Sequence, residues 1–327
     1  MSRVRYGPDN PGVTYVPHKY EEQLFDSGEF EMNYAVAGSS DKPAVLLIPA
    51  QTESWWGYEQ VMARLENHFQ LYAVDLRGQG RSSRTPGRYT FDNMGNDLVK
   101  FLAFVIRRPA VVCGLSSGGV LSAWLSAYAP PGSIRGAYYE DPPLFAVELT
   151  PEIGPSIRQS VPGAMFPVIS KYLGDQWGVG DWEGLMEACR QMMAPEAFKS
   201  RFGDGSEPSQ QLKEYDPEWA RACYEGTISA SCNHARMLSQ VKCPVLFTRH
   251  SCFVDEATGK LAGGVSDEQL KRIEKSITEA GQSFVLKSFP EMGHPMHVID
   301  PDLWVKTFTE WERTLPSDTE TKNTGIF

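Results

Sequence analysis

Ser116 is the first residue in the chain whose surroundings are set up for chemistry. It lies in the stretch 110–119, Ala-Val-Val-Cys-Gly-Leu-Ser-Ser-Gly-Gly, where an apolar run gives way to a helix-forming one within a few residues. Small residues two places before and after a serine allow a sharp strand-to-helix turn. In such a turn the serine backbone is strained, and a Cβ at position 114 or 118 would collide with its neighbours. The turn lifts the Ser116 hydroxyl above the sheet at a helix N-terminus, where developing negative charge is favoured. The pattern predicts a nucleophile at Ser116. The competing reading of the same glycines is a phosphate-binding or merely tight turn.

A serine hydroxyl is a poor nucleophile until a base takes its proton, and the base must be held in one tautomer by a third group. Of the six histidines, His18 and His68 precede the elbow, in an arm and at a helix end, and read as solvated surface. His234 falls in a helical stretch, and His250 ends a strand close to the same rim. His294 follows a flexible glycine in Gly293-His294-Pro295-Met296-His297, after the last strand, and is the expected base, with His297 a packed neighbour supporting the loop. Loops after parallel strands share one edge, which brings this loop to the elbow. Two acids compete to orient the base. Glu140 is fixed at a strand end, whereas Asp255 lies in the polar turn Asp-Glu-Ala-Thr-Gly. The fixed backbone favours Glu140, and strand alternation points the adjacent Asp141 the other way. Two amide donors are needed for a tetrahedral oxyanion. The expected pair is the backbone N–H of Ser117 and that of Gln51, after strand 43–49.

The elements that must carry these groups can be read in order. Strands are predicted over 30–37, 43–49, 71–75, 110–113, 134–139, 242–249 and 283–289, several of them continuously apolar and so buried on both faces. Helices alternate with them over 58–69, 91–105, 120–128, 267–280 and 302–315. A Ser266–Gln269 capping box starts one, and Asp300-Pro301 starts the last. The alternation predicts an α/β fold with a mostly parallel, doubly wound sheet. From 144 to 240 the texture changes to Pro, Gly, Trp and Met with helical pieces and no strands. This divides the chain into a core, 1–143 and 241–327, and an inserted helical cap, 144–240. Residues before about 25 read as an arm, and those after Pro316 as a polar tail.

The 327 residues are 41% hydrophobic and 22% charged, an ordinary globular composition. The formal net charge of −10 argues against nucleic acid or an anionic membrane as the main partner. Six cysteines without a C-x-x-C pair suggest free buried thiols. The absence of an apolar leader or of a long apolar run suggests a soluble, cytoplasmic protein.

Together, Gly114-Leu115-Ser116-Ser117-Gly118, Asp75-Leu76-Arg77-Gly78-Gln79-Gly80-Arg81-Ser82 and Gly293-His294 resemble the nucleophile elbow, the D-x-R-G-x-G-x-S loop and the histidine loop of the α/β-hydrolase fold superfamily. The resemblance covers about 30–315. Pro49-Ala50 departs from the His-Gly that many members carry there, and the usual acid after strand 244–249 is not cleanly present. Both departures fit a subgroup with its acid at the earlier strand end. More narrowly, the Ser-Ser-Gly elbow, Tyr138-Tyr139-Glu140-Asp141-Pro142-Pro143 and Pro49 resemble the zearalenone lactone hydrolases, which open a macrocyclic resorcylic ester. That resemblance implies a Ser116, Glu140, His294 triad, an acyl-enzyme, and no metal or organic cofactor. It also implies a homodimer and aromatic contacts from the cap, where Trp177, Trp182, Tyr172 and Phe166 are available and Trp182 is the choice. The implied substrate is a bulky apolar lactone or ester. A carboxylesterase, a carbon–carbon hydrolase and a small-molecule receptor are alternatives on the same scaffold. Epoxide hydrolysis and dehalogenation fit less well, since they use a carboxylate where this chain has a serine.

Overall fold

Five consecutive apolar residues leave no polar face, so the run Ala44–Ile48 must be covered on both sides. Every residue in it is buried. In the computed structural model, which describes residues 17–316 apart from 155, 161, 175–179, 207 and 257–258, this run is strand β3. The expected arm up to residue 16, the tail beyond 316 and Trp177 lie outside the described residues. The other strands are β1 (Glu22–Asp26), β2 (Glu31–Ala37), β4 (Gln70–Val74), β5 (Ala110–Leu115), β6 (Ile134–Glu140), β7 (Val245–Arg249), β8 (Phe253–Val254), β9 (Leu261–Ala262) and β10 (Phe284–Ser288). Eight of them form one sheet in the order β1-β2-β4-β3-β5-β6-β7-β10, and β8 and β9 pair separately. From β4 to β10 neighbouring strands are parallel, whereas β1 and β2 run antiparallel at one edge.

The helices are α1 (Glu59–Leu65), α2 (Phe91–Phe101), α3 (Ser117–Tyr128), α4 (Met165–Tyr172), α5 (Trp182–Met192), α6 (Pro195–Phe202), α7 (Gln210–Lys213), α8 (Glu218–Glu225), α9 (His234–Leu238), α10 (Asp267–Glu279), α11 (Met296–Ile299) and α12 (Pro301–Glu312). Strand alternation sorts the core into two layers. Val45, Leu47, Val111, Cys113 and Tyr138 pack with α1 and α12, while Leu46, Ile48, Val112 and Tyr139 pack with α2, α3, α9 and α10. Helix starts follow the expected chemistry. Ser266 and Gln269 form the capping box of α10, and the Asp300 carboxylate accepts from Leu303 N ahead of Pro301 at the start of α12. Among the described residues, the chain between β6 and β7 holds α4 to α9 and no strand.

Two elements differ from expectation. Residues 22–26, read as part of an arm, form edge strand β1, in which Gln23, Leu24 and Asp26 are exposed and only Glu22 and Phe25 are half-buried. The β8–β9 hairpin consists of two-residue strands, too short to leave a periodic pattern. All six cysteines are free, five of them buried. Among the described residues, no helix is long and apolar enough to cross a membrane.

Candidate active site

The strand-to-helix turn has the geometry its glycines require. Ser116 sits at φ 54°, ψ −117° between β5 and α3, a conformation that costs a non-glycine residue about 1–3 kcal/mol. The strain is held in place from both sides. Ser116 N donates to Glu140 O at 2.8 Å, tying the turn to the end of β6. A Cβ on Gly114 would lie 2.2 Å from Gly118 O, and one on Gly118 would lie 2.3 Å from Ile48 O. Both obstacles are backbone, which cannot swing aside.

Around this serine the structure builds two acid–histidine pairs. His294 lies after β10 and places Nδ1 2.7 Å from Asp141 Oδ2. Asp141 has only 2% of its side chain exposed, whereas His294 keeps 47%, as a group that must meet a substrate should. Desolvation opposes the imidazolium form of His294. The hydrogen bond and charge of Asp141, with Glu53 and Glu140 nearby, outweigh it and raise the pKa above the ordinary 6.5. Asp141 shows the converse. Burial alone would raise its pKa, but the His294 bond and charge bring it below the ordinary carboxylate value.

Glu140, the expected partner of His294, serves the other histidine. Its Oε1 accepts from His297 N at 3.3 Å and lies 3.4 Å from His297 Nδ1, while its Oε2 accepts from Trp304 Nε1 at 2.7 Å. The reason is strand periodicity. Residue 140 faces the same side as Tyr138, into the α1–α12 layer, where Trp304 and His297 are buried. Asp141 lies just past the strand end, and with a left-handed backbone (φ 41°) strand alternation no longer governs its direction; its carboxylate is the one that meets His294. The carboxylate that holds His294 is therefore that of Asp141 and not of the expected Glu140. His297 stacks on Tyr58 with centroids 4.1 Å apart, and its Nε2 lies 3.8 Å from Glu53 Oε2.

His250 ties the first pair together. Its ring Nδ1 is 2.8 Å from the His294 carbonyl, which can only accept, so Nδ1 carries the proton. Its Nε2 then accepts from Thr248 Oγ1 at 3.1 Å, and its backbone N–H reaches Asp141 Oδ1 at 3.3 Å. A strand-end histidine one turn of chain from the rim was the available signal for this role. Asp255 lies in the β8–β9 turn, where its N donates to Lys260 O, and the carboxylate found on His294 is that of Asp141. His68 is exposed, but His18 is not the solvated group expected. It contacts the Trp55 and Trp56 rings and Glu59. His234 is buried, its Nδ1 accepting from Phe145 N.

Ser116 and His294 share the wall of one cavity of about 260 Å³, together with Gln51, Glu53 and the apolar Ile169, Leu185, Phe202 and Leu212. Among the described residues the serine hydroxyl and the imidazole are not hydrogen-bonded to one another. Such bonds are commonly long before substrate binds. Ser117 opens α3, so its N–H is one of the unsatisfied donors of a helix start. Gln51 N, the other expected donor, points to the same place but is engaged by Ser117 Oγ at 2.8 Å. Trp182 is one layer back from the wall. Its Nε1 donates to Gly205 O, and its ring meets Phe202 edge-on at 6.4 Å. Tyr172 and Phe166 are partly buried against the core. Among the described residues, no group of three or more His, Cys, Asp or Glu side chains is placed to hold a metal ion.

The sequence matches the alpha/beta hydrolase family over residues 45–307. A 3-oxoadipate enol-lactonase from Acinetobacter baylyi is 30% identical over 99 residues, covering 30% of this chain and 37% of that enzyme. A fluoroacetate dehalogenase from a Burkholderia species is 24% identical over 247 residues, covering 69% of this chain and 76% of its own. The chain thus spans little more than a third of the length of the enol-lactonase it matches. Among solved structures, an enol-lactonase from Burkholderia xenovorans LB400 superposes with a TM-score of 0.60 at 17% identity, covering 89% of this chain and 100% of that one. An esterase from a Rhodococcus species does so with a TM-score of 0.62 at 21% identity, covering 91% and 100%. At such identities these likenesses speak for the fold alone. The family match extends from β3 into α12 and takes in the elbow and both acid–histidine pairs, and on that extent the chain belongs to the alpha/beta hydrolase family.

Proposed function

We propose that the chain is a serine hydrolase of carboxylic esters, lactones included, acting through an acyl-enzyme on Ser116. The observation that carries this reading is the strained Ser116 elbow sharing a cavity with a histidine whose far nitrogen is held by a buried carboxylate. Donation of Nδ1–H to Asp141 leaves Nε2 of His294 free to accept. As Ser116 Oγ attacks the carbonyl, Nε2 takes its proton and Asp141 stabilises the imidazolium. The oxyanion meets Ser117 N–H, and Gln51 N–H joins it once the Ser117 side chain rotates away. Collapse breaks the bond to the leaving oxygen, which receives the proton from His294. Water then repeats the sequence on the acyl-enzyme and releases the acid. In a lactone the leaving hydroxyl stays tethered to the acyl group and must swing aside to admit water.

Within that class the substrate we propose is a bulky apolar lactone of the zearalenone type. The elbow and the 138–143 segment support it through their resemblance to enzymes of that kind, and so do the apolar walls contributed by Ile169, Leu185, Phe202 and Leu212. Helices α4 to α9 are then the cap over the site. A serine at position 116 argues against the carboxylate-nucleophile chemistries of epoxides and organohalides. The test incubates purified protein with zearalenone, a simple aryl ester and a diketone, and reads product mass. Gain of one water by the macrolactone, with or without loss of carbon dioxide, supports the full reading, and Ser116→Ala must abolish it. Turnover of the aryl ester alone removes the lactone assignment. Tight binding without product replaces the enzyme by a receptor.

A further inference from the structure

The oxyanion loop, residues 49–54, contains no regular structure, and Thr52 is held at φ 64°, a left-handed value unfavourable for a β-branched residue. A strained irregular loop keeps its shape only if its surroundings over-determine it. Here the surroundings come from far along the chain. Gln51 Nε2 donates to Tyr215 OH at 2.6 Å, and Gln51 Oε1 accepts from Cys223 Sγ at 3.2 Å. Ser54 Oγ and Trp56 Nε1 both donate to Glu214 Oε2, at 2.5 and 3.2 Å. Glu214 and Tyr215 are each 1% exposed.

The segment bearing these two residues is itself fastened to the core. Asp216 N donates to Gly78 O at 2.7 Å, Asp216 Oδ2 accepts from Tyr89 OH at 2.5 Å, and Trp219 Nε1 donates to Arg77 O at 2.6 Å. The chain around 214–219 is therefore a fixed buttress rather than a moving flap.

Resting on the serine-hydrolase reading, we propose that Glu214 and Tyr215 are positioning residues for the oxyanion loop, holding the Gln51 peptide so that its N–H faces the reacting carbonyl. Neither lines the cavity; Tyr215 reaches it only through the Gln51 side chain, so neither needs to contact substrate. Their effect falls on the transition state, which the loop donor serves, rather than on ground-state binding.

The experiment measures kcat and KM on an aryl ester, the inhibition constant of phenylboronic acid (which adds to a serine as a tetrahedral mimic), and the melting temperature. The variants are Tyr215→Phe, Glu214→Gln, Glu214→Ala, Gln51→Leu, the double variant Tyr215→Phe/Gln51→Leu, and Ser116→Ala as a reference. Tyr215→Phe is expected to lower kcat about 10- to 100-fold, with KM within about twofold and a parallel weakening of boronic acid inhibition, a partial loss of what deleting one oxyanion donor removes. Glu214→Gln, which keeps one acceptor, should lie between wild type and Glu214→Ala. Should Tyr215→Phe fail to fold, Gln51→Leu cuts the same tether from the partly exposed end and keeps the main-chain donor. Where both fold, the double variant should lose no more than either single one. Folded Tyr215→Phe and Gln51→Leu proteins with wild-type kcat and boronic acid affinity overturn the proposal while leaving the hydrolase reading intact. Wild-type protein that neither turns over the ester nor binds the boronic acid, or a Ser116→Ala protein as active as wild type, overturns both.

Discussion

Replacing Asp141 by asparagine, alongside Glu140 by glutamine, separates the roles of two adjacent carboxylates. Asp141 Oδ1 accepts the backbone N–H of His250 and Oδ2 faces His294 Nδ1. In asparagine only one of these positions can be an acceptor. The backbone donor of His250 cannot change its nature, so the amide oxygen settles there and the NH2 group turns toward His294. Nδ1 must then accept, the proton moves to Nε2, and the ring can no longer take the Ser116 proton. A wrong tautomer in an otherwise intact triad lowers kcat by up to about 10⁴, and the 3.3 Å His250 bond is weak enough that 10³ to 10⁴ is the expected range. Folding should change little, because size and packing are kept. Glu140→Gln does the opposite. It leaves Trp304 N–H and the His297 donors with one acceptor between them and removes the buried charge that, against desolvation, raises the His297 pKa. Breaking a buried pair of this kind costs about 3–5 kcal/mol, or roughly 5–15 °C in melting temperature for a domain of this size, while kcat of the folded fraction should stay within about tenfold. Thermal melts and single-turnover kinetics on both variants give the answer. A folded Glu140→Gln protein a thousandfold slower than wild type, next to a nearly normal Asp141→Asn, would refute the pairing and return the acid to Glu140.

Ser117→Ala removes the hydroxyl that occupies Gln51 N–H, and kcat should be unchanged or rise a few-fold; a hundredfold loss would show that the hydroxyl itself serves the oxyanion. The base must be neutral, so kcat/KM should fall as pH drops through the raised His294 pKa, with the acid limb above the 6.5 of an ordinary histidine. The same raised pKa adds stability that is complete below 6.5 and lost as pH climbs through the folded value. Burial lifts the Glu148 carboxyl to about 7, so the folded state keeps a proton that the unfolded chain gives up near 4.5, and stability falls as pH rises between them. Burial holds His234 down at about 3, so its contribution is lost as pH falls from 6.5 toward 3. Glu148→Gln should therefore gain on wild type between pH 4.5 and 7 and hold a constant advantage above; a difference in denaturation free energy that does not vary with pH would remove Glu148 as the cause.

The parts of this protein that were legible in the sequence are those fixed by short-range sterics or by burial on two faces. Ala44–Ile48 and Ala110–Leu115 are apolar throughout because helices cover both sides, and Gly114 and Gly118 are small because backbone lies 2.2 and 2.3 Å from where a Cβ would be. The Ser266 capping box is local chemistry and appears as written. What could not be read depends on how distant segments arrive. Alternation places Glu140 but stops at the strand end, and which acid meets which histidine is set by the left-handed turn at 141 and by how the distant 293–297 loop arrives. Trp182 could not be told from a cavity-wall residue, because Phe202, brought in by α6, stands between it and the space. Strand β1 was missed for an energetic reason: an edge strand gains its stability from the backbone ladder to β2, which leaves little trace in side-chain pattern.

Two adjacent carboxylates at one strand end serve two histidines of one loop, and this explains why the rim needs both. His294 and His297 leave the 293–297 loop differently, the first half-exposed and the second buried. A single acid could orient only one of them. With Asp141 on the exposed ring and Glu140 on the buried one, the loop is pinned at both ends, and the exposed imidazole is free to exchange protons without the loop losing its anchor. The buried pair also reaches the opposite wall, since His297 Nε2 faces Glu53 Oε2, and that same oxygen accepts from Ala50 N beside the oxyanion donor. Glu53 lines the substrate cavity and approaches the buried His297, so the base loop and the oxyanion loop meet at this carboxylate. A perturbation of Glu140 should accordingly be felt first as lost stability and only through loop placement as lost rate, which is the asymmetry that the paired substitutions measure.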